Sequence, residues 1–184
     1  GYAPKNTDIL AATATRNAFN EEQSRSKRGV KGEATAEADD VNLRQISDNF
    51  MRLLDLTVRQ GRFTLRGKDV MGQFSTRTGV VRLRTWNDLS TLVHEGGHAM
   101  EQAASGELAT FIKDNSVQLK TVAKALYGGD LSNATQKVQI SEGFAEFFRV
   151  FTLNRQFAQK KMPTLTQAFE DMLRKTDPAL MEGL

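Results

Sequence analysis

The chain contains no cysteine, which excludes disulfides, thiolate metal sites and thiol nucleophiles. Histidine is nearly absent too, with two in the whole sequence. No stretch approaches the roughly 18 consecutive apolar residues that mark a membrane-spanning helix, so no span is expected. No secretory signal pattern opens the chain. Together with the lack of disulfides, this favours an intracellular or particle-enclosed setting over a secreted one. Gly1-Tyr2-Ala3-Pro4 stands where a methionine would, which suggests a piece of a longer polypeptide or a processed product.

What is present describes a globular protein. The 184 residues are 39% hydrophobic and 26% charged, enough for one domain with a core and an arm attached. Residues 1–38 read as the arm. They are rich in Ala, Thr, Asn, Ser and Glu, and Ile9, Leu10, Phe19 and Val30 are their few large apolar side chains after Tyr2. Such a segment is expected to be a linker, or to order only against a partner. Residues 39–184 read as the folded domain. The net charge of +3 is uneven: seven cationic residues lie between Arg59 and Arg84, against one acid, Asp69. A stripe of this kind can meet nucleic acid. With no nucleic-acid motif beside it, a solvated sheet face with cationic edges is the better expectation.

Along the domain, Val41, Ile46, Phe50, Leu53, Leu54 and Val58 recur at helical spacing, which predicts a helix from Asp39 or Asp40 to Gly61. Val70–Ser75 and Val80–Arg84 flank Thr76-Arg77-Thr78-Gly79 and predict a hairpin. Val81 and Leu83 should face one side of it, Arg82 and Arg84 the other. Asn87 or Asp88 can cap a helix that runs to about Ala104. A helical stretch over Glu107–Tyr127 should break near Asp114-Asn115, with Ser116 capping its second piece, and Gly128-Gly129 should close it. A further helix, starting at roughly Ser132 or Ile140, should end near Asn154. The last should run from Leu165 to about Lys175 after Pro163, burying Leu165, Ala168, Phe169, Met172 and Leu173. The fold class expected is α+β: mainly helical, with a small sheet or hairpin beside the helix that carries the histidines.

Both histidines fall in one pentapeptide, His94-Glu95-Gly96-Gly97-His98. On a helix, positions i and i+4 share a face, so two imidazoles can hold one metal ion. Zinc is the expectation, since neutral imidazole nitrogens bind it at about 2.0–2.1 Å. Glu95 is then placed as general base toward a water on the metal. The two glycines each cost about 1 kcal/mol in a helix relative to alanine. A close approach of sheet backbone to this helix would justify them.

A catalytic zinc takes three protein ligands. With no third histidine and no cysteine, the remaining one must be a carboxylate. Glu142 is the best candidate, because Phe144, Phe147, Phe148, Val150 and Phe151 mark its helix as buried, and a buried carboxylate needs a partner. Glu146 shares its face. One of the two can bind the metal while the other holds a ligating histidine through its free ring N–H. The alternative is that both are exposed and paired with Arg149 or a lysine.

His94-Glu95-Gly96-Gly97-His98 followed by Glu142-Gly143-Phe144-Ala145 resembles the HExxH-plus-ExxA pattern of gluzincin metallopeptidases. Over about Leu83–Leu173 the chain is most similar to lethal-factor-type peptidases, whose second helix also carries a further Glu after the Ala, amid phenylalanines. The resemblance implies a zincin-like fold, zinc on His94, His98 and Glu142, Glu95 as base, and Glu146 supporting a ligand. Those peptidases place an oxyanion-stabilising tyrosine shortly before the second motif. Gln136–Ser141 contains none, and Tyr127, fifteen residues before Glu142, is the nearest. The chain also resembles peptidase-like domains of very large bacteriophage proteins, which implies a virion-enclosed setting and partners within a longer chain or assembly.

The function expected is that of a zinc endopeptidase acting on a peptide or protein substrate. An extended substrate could pair with the hairpin around Phe74 or along Val80, Val81, Arg82, Leu83 and Arg84, with Tyr127 a further candidate contact. The rival expectation is a structural or delivery module of a large assembly that keeps the fold without turnover. Nucleic-acid contact through Arg59–Arg84 is a third.

Overall fold

The computed structural model describes residues 44–184, apart from 62–63, 66–67, 70, 85–87 and 132. The arm predicted over residues 1–38, and the predicted helix start, lie outside the described residues. The architecture is mainly helical with a small sheet, which is α+β. No helix among the described residues is long and apolar enough to cross a membrane.

The first helix, α1, covers residues 44–53 and stops there. Asp55 adopts a positive φ of 50°. The Leu56 N–H then reaches back to the Met51 carbonyl at 2.8 Å, and the Asp55 N–H to the Arg52 carbonyl at 3.3 Å. This is a Schellman ending with aspartate in the left-handed position. The expected continuation to Gly61 is therefore wrong: Thr57–Gln60 forms strand β1, and Val58 belongs to it.

Short strands β2 (Thr64–Leu65) and β3 (Lys68–Asp69) pair with each other. The predicted hairpin is β4 (Gly72–Ser75) and β5 (Val80–Leu83), antiparallel in register Ser75↔Val80 to Gly72↔Leu83. Gly79, at φ 65°, closes the turn by donating to the Ser75 carbonyl at 2.8 Å. β1 runs parallel to β5 on its other side, so the sheet order is β1-β5-β4. Val81 and Leu83 are buried and Arg82 is exposed, as the alternation predicted.

Helix α2 (Leu89–Ala103) carries the histidines, and Asp88 caps it by accepting from the Thr91 N–H at 2.9 Å. Then come α3 (Gly106–Asp114) and α4 (Ser116–Tyr127), broken at Asn115 as expected, although Asn115 rather than Ser116 sits at the cap position. Gly128, at φ 56°, ends α4 and a single 3₁₀ turn follows. Helix α5 (Gln136–Leu153) packs against α4 on one side and α2 on the other. The chain closes with α6 (Arg155–Lys161), α7 (Pro163–Thr176) and α8 (Pro178–Gly183). Of the stripe predicted on α7, Leu165, Phe169, Met172 and Leu173 are buried and Ala168 is partly so.

The core centres on Phe169. Rings of Phe111, Phe144, Phe147, Phe148 and Phe151 surround it with centroids 5.0–6.3 Å away. Four of those rings lie on α5 at positions i, i+3, i+4 and i+7, the spacing of one helix face. That leaves the opposite face of α5, with Glu142, Glu146 and Arg149, turned toward α2.

Helix contacts, rather than the sheet, explain the glycine pair in α2. A Cβ at Gly97 would lie 2.7 Å from the Ala145 Cα on α5, and one at Gly96 would lie 3.0 Å from the Phe50 ring of α1. The close sheet-to-helix approach does exist, with its glycine on the strand. A Cβ at Gly72 would lie 2.2 Å from the Thr91 methyl and 3.1 Å from a Glu95 carboxylate oxygen. Gly143 meets α4 more tightly still, since its Cβ would lie 1.9 Å from the Leu119 carbonyl oxygen.

Two predictions follow from packing. Gly143→Ala forces α4 and α5 backbones apart and should cost about 3 kcal/mol, the upper end for overpacking. Gly96→Ala meets only side chains, the Phe50 ring edge and a Leu54 methyl, and should cost clearly less; urea unfolding of both variants measures the difference. Glu170, 5% exposed, accepts from Arg155 Nε at 2.9 Å, Gln159 Nε2 at 3.2 Å and Arg174 Nη2 at 2.9 Å. Burial pushes its carboxyl up, but these donors hold it below the ordinary 4.5. Its stabilisation is therefore complete above that unfolded-state value and is lost as pH falls below it. Glu170→Gln should lower stability at pH 7 and flatten the acid limb of the melting profile.

Candidate metal centre

His94 and His98 sit one turn apart on the face of α2 that meets α5. Their rings are 5.0 Å apart and nearly perpendicular, at 86°. Both turn Nε2 toward Glu142: His94 Nε2 lies 3.5 Å from Oε2 and His98 Nε2 lies 3.7 Å from Oε1. One ligand atom from each of the three residues falls within 4.8 Å of the others. Ligand atoms about 2 Å from a tetrahedral ion stand about 3.3 Å apart, and each imidazole lies a little farther than that from its own carboxylate oxygen, Oε2 for His94 and Oε1 for His98. Two imidazoles and a carboxylate are also a donor set suited to zinc. The residues present fit the ion.

The three groups polarise one another. Burial works against a charge on His94, yet Glu142 and Glu146 outweigh it and raise the ring to about 9. Burial pushes Glu142 up, and His94, His98 and the Tyr127 hydroxyl bring it below its ordinary value.

Glu146 does not share the three-ligand cluster. It lies behind His94, with Oε2 3.6 Å from Nδ1. Arg149 clamps it through Nε at 2.7 Å and Nη2 at 2.5 Å, and reaches Ser90 of α2 through Nη1 at 2.9 Å. Burial opposes the charge of Glu146, but Arg149 and His94 bring its carboxyl below the ordinary range. The pairing with Arg149 weighed from sequence thus exists, on a carboxylate only 6% exposed and beside a histidine.

Glu95 is 7% exposed and faces the same cleft from α2. Burial raises its carboxyl; the two histidines and the Phe74 backbone N–H, which donates to it, act against the rise. The cleft has a volume of about 870 Å³ and is walled by Gly72, Gln73 and Phe74 of β4, Tyr127 of α4, and Lys137 and Ser141 of α5.

The expected substrate strand needs correction. Val80, Val81, Arg82 and Leu83 form the central strand, paired with β1 on one side and β4 on the other. Val81 and Leu83 are core residues, and the Arg84 N–H is bonded to the Met71 carbonyl at 2.8 Å. No further strand can pair along β5. The edge bordering the cleft is β4, with Phe74 on it.

Tyr127 does reach the site. Its hydroxyl donates to Glu142 Oε2 at 2.9 Å. Sequence distance hid this, because Gly128 reverses the chain and lays the end of α4 beside the start of α5. The Gly128-Gly129 pair was the available signal. Ser141 and Glu101 also flank His98 and were not anticipated.

Comparison with protein-family models, with curated proteins and with solved structures returned no match.

A direct test is metal content. Wild type dialysed against zinc should hold one equivalent by elemental analysis. Glu142→Ala and His98→Ala should hold little, and Glu95→Gln should hold as much as wild type. Removing Glu146 should weaken binding about 10–100-fold, the usual effect of losing a group that orients a ligand.

Proposed function

We propose that this chain is a zinc-dependent metallopeptidase domain of the zincin-like, gluzincin type, acting as an endopeptidase on peptide or protein substrates. The observation that carries this reading is the convergence of His94, His98 and Glu142 beside the buried carboxyl of Glu95, in a cleft bordered by a strand edge. Bound by His94, His98 and Glu142, zinc would supply Lewis acidity, lowering the pKa of a water to about 7 and polarising a carbonyl.

The chain's own groups do the rest. Glu95 takes a proton from the attacking water and delivers it to the leaving amine. Burial raises its carboxyl, which favours acceptance of a proton. Burial and the carboxylate of Glu142 push the Tyr127 phenol well above its ordinary value, so it stays protonated and can donate. It is the candidate for stabilising the oxyanion, the role for which the sequence offered no residue near the second motif. An extended peptide would add to the sheet along β4, with main-chain hydrogen bonds fixing its path past Glu95.

Cleavage of a peptide library by the zinc-loaded chain tests the reading. Glu95→Gln should lower kcat/KM by about 10²–10⁴-fold with zinc content unchanged. Tyr127→Phe should lower kcat by about 10²-fold or more with little change in KM. Equal activity in wild type and Glu95→Gln would refute the assignment.

One observation favours a second reading. The Tyr127 hydroxyl is engaged by Glu142. In a structural or delivery module of a large assembly, such as a phage particle, zinc would fasten α2 to α5 without turnover. Bound zinc with no cleavage of any library member would establish that module.

A further inference from the structure

His94 and His98 are backed differently. Behind His94 stands a carboxylate, Glu146. Behind His98 Nδ1 the nearest polar atom is the Ser141 hydroxyl, at 3.2 Å. The Glu101 carboxylate is 3.9 Å from that nitrogen, too far for a direct hydrogen bond. Ser141 Oγ is itself hydrogen-bonded to Glu101 Oε2.

Donor and acceptor counting fixes the direction of this chain. A carboxylate has no proton to give, so the Ser141 O–H donates to Glu101. A hydroxyl has one proton, so only its lone pairs remain for His98. His98 Nδ1 must then be the donor and carry the proton. In the neutral ring this leaves Nε2 bare, and Nε2 is the atom turned toward Glu142 at 3.7 Å.

We infer that Ser141 and Glu101 act as a linked pair of positioning residues that hold His98 in the Nδ1–H tautomer and so prepare its Nε2 as a metal ligand. The inference rests on the zinc reading given above. A ring N–H bonded to an oxygen that is itself polarised by a carboxylate makes the other nitrogen a better donor to metal. The pair also joins the two ligand helices: Glu101 lies one turn beyond His98 on α2, and Ser141 immediately precedes Glu142 on α5. On the other side of the site the Glu146 carboxylate stands 3.6 Å from His94 Nδ1, held by Arg149, which also reaches Ser90 of α2.

The experiment is a zinc-affinity titration against a competing chelator, begun with wild type. Ser141→Ala and Glu101→Ala should each bind zinc about 10–100-fold more weakly. Because the residues act in series, the double variant should match the single variants rather than multiply their losses. Ser141→Thr keeps the hydroxyl and should restore affinity. Nitrogen-15 NMR of the zinc-loaded protein should show a protected His98 Nδ1–H in wild type that exchanges rapidly in Ser141→Ala. Should Ser141→Ala prove less stable, Glu101→Ala, whose side chain borders the open cleft, carries the test. Wild-type zinc binding with unchanged affinity and unchanged Nδ1–H signal in both variants overturns this inference alone. A wild type that binds no zinc overturns it together with the reading on which it rests.

Discussion

The site depends on how closely α2 and α5 can approach. Gly97 and Ala145 meet where any larger pair would hold the helices apart, and on that contact the imidazoles of one helix come within ion-pair distance of a carboxylate on the other. Two residues with no chemistry of their own thus set the spacing of those that have it. The conformational cost of glycine inside a helix is offset by what this contact assembles. Gly143 performs the matching service one face away, letting α4 lie against α5 so that Tyr127 reaches Glu142.

Helix α5 has two unlike faces, and the contrast accounts for much of the electrostatics. One face is a row of phenylalanines locked around Phe169, which fixes the helix in rotation. That rotation presents Glu142, Glu146 and Arg149 to α2. Buried carboxylates are tolerable only with partners. Here Arg149 serves Glu146, while Glu142 is left among two imidazoles and a phenol. The sheet contributes differently. Gly72 brings strand β4 against Glu95, so the acid lies under a strand edge rather than in open solvent.

Much of this was legible in the sequence, and the rest was hidden for identifiable reasons. Local signals were sufficient for the hairpin, for Asp88 as a cap, for the break at Asn115 and for the apolar stripe of α7. Val58 was misread because it falls in phase with Leu54, and periodicity cannot register the left-handed turn at Asp55. The strand it belongs to pairs in parallel across more than twenty residues, and this pairing makes β5 central and unavailable to a substrate. Asn154 and Asp177 each cap a short helix, accepting from Phe157 and Leu180, and those caps were readable though not read. In the site, His94, Glu95, His98 and Glu142 come together as the two motifs implied. Tyr127, Ser141 and Glu101 do not belong to either motif's spacing. Their places follow from helix rotation, which no short pattern encodes, and from the end of α4 at Gly128, for which the Gly128-Gly129 pair was the local sign.

The seat of Gly143 on the Leu119 carbonyl has a reach beyond packing. It sets the gap between α4 and α5, and Tyr127 is the last residue of α4. A larger residue there would force α4 away from α5 and move the phenol relative to the carboxylate. At this position one backbone contact serves the fold and the site together, so variation there would be felt in both.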